Sequence, residues 1–155
     1  HELSHLLHKA WRERHPVGLE TPFARALWHC FYEGFGNYRS LSSRWLGGDG
    51  GLTPHARGVL ARLAPVFVAR LRALREAGAA EEEALTRDLS RGPFEQKWGA
   101  LPVALWLAQE AAGDDRRLRA WIDAGPEGVL ELARRHLPEH LSRGLPALAN
   151  PPGGP

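Results

Sequence analysis

TPHARGVLARLAPVFVARLRAL, residues 53–74, repeats its apolar residues at the spacing of a helix buried along one side. Leu60, Phe67, Leu71 and Leu74 form the stripe, and Arg57, Arg62, Arg70 and Arg72 fall on other faces. Thr53-Pro54 is a start signal: a side chain able to cap the helix, then a proline whose missing N–H costs nothing at the first position. Pro65 predicts a kink. The same signal at Thr21-Pro22 opens a second helix, carried by Phe23, Leu27, Phe31, Tyr38 and Trp45 to the glycine run of residues 47–51. Upstream, Leu3, Leu6, Leu7 and Ala10 predict a helix from residue 1 to about 14, broken by His15-Pro16-Val17-Gly18.

Downstream the pattern stays helical. An acidic helix is expected over about residues 80–91, then one over 95–112 and shorter ones over 115–123 and 126–137. No segment alternates as a strand would. The expected class is all-α, one helical domain over 1–149 followed by a disordered Pro/Gly tail, 150–155.

Bulk numbers exclude several roles. A net charge of +2, with arginines dispersed among acids, gives no basic patch for nucleic acid. The near-apolar run of residues 98–108 is shorter than the about 20 residues of a membrane span. One cysteine, Cys30, permits no internal disulfide and reads as a core residue; the six tryptophans read as core rather than as a ligand cage. The chain contains no methionine and opens inside a motif, so it is expected to be a fragment whose upstream part is missing, which leaves the compartment open.

That motif is His1-Glu2-Leu3-Ser4-His5, HExxH. Histidines four apart on a helix project from one face and reach one metal ion. Glu2, about 100° round, reaches the water on that metal without ligating it. His8 and Arg12 share the histidine face, and the leucines cover the opposite one. His8 reads as a surface or substrate-contacting residue rather than a fourth ligand, because catalytic zinc keeps one position open. The third ligand is sought on the next helix. Glu33 lies in FYEGFGNY, residues 31–38, among large apolar residues, where an unpaired charge is costly and ligation removes the cost.

HExxH followed by a glutamate on the next helix resembles the gluzincin zinc peptidases. Residues 33–38, EGFGNY, are similar to the stretch around the third ligand of aminopeptidase N-like enzymes, and the whole is similar to uncharacterised bacterial zinc-peptidase families. The specific likeness covers about residues 1–45. It implies zinc held by His1, His5 and Glu33, Glu2 as general base, a peptide or protein substrate, and a helical half-domain whose sheet-bearing half lies upstream. It also implies that Asn37, at a position where thermolysin has an aspartate, orients the first histidine; a plain helix-surface amide is the alternative. The family's oxyanion donor, a tyrosine three residues before a glycine, is not found: before Gly99 stands Gln96. Gln96, His55 or the upstream segment is expected to take that role, with Tyr32 and Tyr38 poorly placed. His29 could line the cleft, and nothing links His136 or His140 to chemistry. A helical scaffold or binding module without activity is the alternative from another class.

Overall fold

Both Thr-Pro pairs do open helices. Thr21 Oγ1 accepts the Ala24 amide at 3.1 Å and Thr53 Oγ1 the Ala56 amide at 3.2 Å. The structure, a computed structural model, describes residues 9–15 and 18–147 and is all-α. Residues 9–14 are helical. After them come α1 (Pro22–Tyr38), α2 (Pro54–Glu76), α3 (Ala79–Leu85), α4 (Ala100–Ala111), α5 (Arg119–Ala124), α6 (Gly128–His136) and α7 (Glu139–Ser142). Tight 3₁₀ turns occupy Phe94–Gln96 and Asp115–Leu118. Among the described residues there is no strand, only an isolated antiparallel bridge between Leu46 and Leu52. The expected tail, 150–155, lies outside the described residues.

The helices differ from expectation at their ends. α1 stops at Tyr38 and does not reach Trp45. The Arg39 amide folds back on the Phe35 carbonyl and the Ser40 amide on that of Asn37, while Ser40 Oγ donates to Gly36 O and Ser42 Oγ accepts from Arg44 N. Serines compete with the helix for its backbone groups, and a run of them ends it. Trp45 is buried all the same, its carbonyl taken by Thr53 N at the root of the hairpin 46–52.

The helix expected over 95–112 is cut in two. Residues 97–99 run straight past the loop 86–92: Trp98 N donates to Asp88 O at 3.0 Å, and Gly99 N and Ala100 N both donate to Leu89 O. Gly99 has no room for a side chain, since a Cβ there would lie 2.7 Å from Leu89 Cγ and 2.9 Å from Cys30 Sγ. The acidic helix likewise ends early, at Leu85, where Thr86 Oγ1 takes Glu82 O and Asp88 turns left-handed, φ +59°. α2 runs on through Pro65 to Glu76.

The core is built on α1 against α4, the largest helix–helix contact. α4 is buried without interruption from Ala100 to Ala108, and α1 lets it approach at Gly34, where a Cβ would meet Val103 Cγ1 at 2.4 Å. The apolar run read as too short for a membrane is this central helix. No helix of the described residues is long and apolar enough to cross a bilayer. α2 packs on both α1 and α4, and α6 on α4.

Candidate metal centre

α1 has three working sides. Trp28, Phe31 and Phe35 meet one another edge-on or tilted, with ring centroids 5.3–5.9 Å apart, and Trp28 and Phe31 lie under Trp11 of the first helix. Cys30 and Gly34 face α4. Glu33 falls between these, half-buried, one turn after the exposed His29. Partial burial holds the His29 pKa below the usual histidine value; Arg91 adds to this, and the charges of Glu33 and Glu82 oppose it.

His1, Glu2, His5 and His8 lie outside the described residues, so the structure gives no distance from them to Glu33. The helical residues 9–14 that follow them in sequence are anchored to α1. Trp11 stacks on His15 at 4.5 Å and lies 5.8 Å from Phe31, and Arg12 Cζ stands 5.3 Å over the Trp28 ring. Arg12, which the sequence reading places on the face of the motif histidines, itself meets α1 at Trp28. The turn before α6 closes on Trp11 from the other side: a Cβ at Gly125, φ +66°, would lie 2.7 Å from the indole. Trp11 Nε1 is buried with no hydrogen-bond partner among the described residues.

Asn37 is not a surface amide. It is 2% exposed, and its Nδ2 has no partner among the described residues. Its position one turn beyond Glu33 and its burial suit a supporting amide, although sequence periodicity alone left its exposure open.

The other singled-out residues are committed elsewhere. The Tyr38 hydroxyl donates to Asp115, whose carboxylate also pairs with Arg39; burial first, then Asp115, pushes the phenol pKa up. His55 Nε2 lies 3.0 Å from Glu95 Oε1 and 3.1 Å from Arg44 Nε, while Arg44 Nη2 holds the same Glu95 oxygen at 2.6 Å. One ring nitrogen cannot accept from Arg44 and donate to Glu95 together. Nε2 either accepts from Arg44 Nε or donates to Glu95, according to the tautomer, and in both cases it is committed to this cluster. Gln96, exposed, ends a 3₁₀ turn. Cys30 is fully buried, which pushes its thiol pKa up, and Trp28, Trp45, Trp98 and Trp106 are core, as read.

Sequence reasoning passed over one cluster. His136 Nε2 meets Glu110 Oε1 at 2.7 Å, and Glu110 Oε2 accepts from Arg135 at 2.9 Å and from Trp121 Nε1 at 3.2 Å. Twenty-six residues separate His136 from Glu110. No local spacing announces the pair.

Among the described residues no three His, Cys, Asp or Glu side chains are placed to hold a metal. The donor types nevertheless fit zinc: two imidazoles at i and i+4 and the half-buried carboxylate of Glu33. No known protein family, curated protein or solved structure matches the chain.

Proposed function

We propose that the chain is the helical part of a zinc-dependent peptidase. The observation that carries this is the HExxH sequence of residues 1–5 on a chain that folds all-α, with a half-buried glutamate on the next helix. His1, His5 and Glu33 hold the ion, leaving one position open. Zinc bound there lowers the pKa of a coordinated water and polarises the scissile carbonyl. Glu2 takes the proton from the attacking water and hands it to the leaving amine. Asn37, buried one turn after Glu33, supports the ligand side of α1.

A second reading, a scaffold that keeps the motif without turnover, has one observation in its favour. His55 and Tyr38 are both engaged by carboxylates, so neither is free to stabilise an oxyanion.

Metal analysis and peptide cleavage by the full-length protein separate these. Glu2→Gln keeps zinc and loses turnover by about 10²–10⁴-fold, the range of a lost general base. His5→Ala and Glu33→Ala lose zinc and turnover together. If Glu2→Gln strips the metal as His5→Ala does, the division of roles is wrong. Zinc without any cleavage, before mutation, leaves the scaffold.

A further inference from the structure

A cleft of about 430 Å³ opens between His29 on α1 and the loop that follows α3. We infer that it is a carboxylate-binding subsite, where a substrate of the proposed peptidase seats an acidic side chain or its terminal carboxylate. The substrate role rests on the peptidase proposal; the anion pocket itself does not.

The loop's backbone supplies the first part of the case. The carbonyls of Arg87, Asp88 and Leu89 all turn inward, to Trp98 Nε1 at 2.8 Å, to Trp98 N at 3.0 Å, and to Gly99 N and Ala100 N at 3.1 and 2.9 Å. In a planar trans peptide the N–H points opposite to the C=O. The amides of Asp88 and Ser90 share planes with the Arg87 and Leu89 carbonyls, so they point outward, away from the buried Trp98. Neither donates to an acceptor among the described residues. The intervening Leu89 amide turns back to Thr86 O at 3.0 Å. Two outward amides on a cleft wall attract an anion through fixed dipoles.

The side chains supply the second part. Arg87 and Arg91 line the cleft and make no ion pair among the described residues. Two guanidinium groups beside free amides suit a carboxylate, which accepts several charge-assisted hydrogen bonds at once. One neighbouring acid is answered: Glu82 is gripped by Arg25 through two bonds of 2.6 and 2.7 Å. Glu83, exposed at the α3 rim, and Asp88 of the loop are the lining carboxylates that oppose an incoming anion. His29 and Glu33, four residues apart, share a side of α1, which puts the cleft about 6 Å along the helix from the proposed ligand. A substrate held at Glu33 would reach the cleft with a neighbouring residue.

Binding can be read without turnover, using the full-length Glu2→Gln variant and blocked peptides that differ only in one Glu, Gln or Lys. An acetylated peptide with a free C-terminus tests the second carboxylate source. The Glu peptide, or the free C-terminus, should bind about tenfold tighter than the Gln peptide, the ratio of one lost charge-assisted hydrogen bond. Arg87→Ala with Arg91→Ala should erase that difference, and Glu83→Gln should widen it. Which of the two carboxylate peptides gains identifies the source. A preference for Lys, no preference for a carboxylate, or a preference untouched by the arginine changes overturns the inference. Circular dichroism of each variant separates misfolding from lost recognition. No cleavage of any of these peptides by the unmutated protein would instead sink the peptidase proposal and leave the pocket standing.

Discussion

Two glycines of the long helices show how single residues divide between packing and propensity. Gly34 faces Val103, 1% exposed, across the α1–α4 contact, and a Cβ there would stand 2.4 Å from Val103 Cγ1. Gly58 of α2 faces nothing within 4 Å. Gly34→Ala is expected to lose about 1–3 kcal/mol to overpacking, offset by about 1 kcal/mol of helix propensity. Gly58→Ala gains the propensity alone, about 0.5–1 kcal/mol. Urea unfolding reads both, and Val103→Ala should rescue Gly34→Ala in the double variant. A Gly34→Ala protein as stable as the parent would mean that α1 and α4 do not approach as described. Asn37 belongs to this scale too. Its type and helical position were legible, but whether an amide lies inside depends on what packs over it, and that is not written in residues 33–41.

At the scale of elements, α5 and α6 are tied to α4 by one carboxylate. Glu110, at the end of α4, receives Trp121 from α5 and Arg135 and His136 from α6. Burial alone would raise the Glu110 pKa; the bonds from His136 and Trp121 and the charge of Arg135 outweigh it and hold the group below the usual carboxylate value. A depressed folded pKa contributes stability that is present above the unfolded carboxylate range and is lost as pH falls through the folded value. Glu110→Gln is therefore expected to cost about 1.5–3 kcal/mol near neutral pH, the worth of hydrogen bonds to a charged group. The gap from the parent should close as pH falls below about 4. Urea titrations at a series of pH values test this, and a gap that stays constant into acid would show that Glu110 is not held ionised by its partners. The helices themselves were readable from their caps and stripes. Their ends were not, because α1 and the 95–112 segment stop where serine side chains and a partner loop take their backbone groups.

For the molecule as a whole, the described residues 9–14 meet the rest at Trp11 and Arg12. Trp11 lies between Trp28 and Phe31 of α1 and the Gly125 turn. Trp11→Ala should cost about 2–3 kcal/mol, less than a fully buried aromatic because the ring is half-exposed. Under the proposed function it should also weaken zinc retention, since the motif helix loses its seat on α1. Trp11→Phe keeps the ring and removes an N–H that is buried without a partner among the described residues, so stability should change by less than about 1 kcal/mol. Unfolding curves and metal content of the two variants decide it. Equal behaviour of Trp11→Ala and the parent in both would detach the motif helix from the architecture described.

Periodicity is a local property, and the all-α class, the Thr-Pro starts, the burial of Cys30 and the core role of most tryptophans followed from it directly. The zinc ligands were proposed at the same level: His1 and His5 by their spacing of four, Glu33 by its apolar surroundings and a family resemblance. What the folded chain alone decided is which distant groups meet. Glu110 finds His136 across 26 residues, Arg25 finds Glu82 across 57, and the loop 86–92 gives the carbonyls of Arg87, Asp88 and Leu89 to Trp98–Ala100. Such pairings depend on the packing of α4 between its neighbours, and packing is a sum over the whole core that no window of sequence contains.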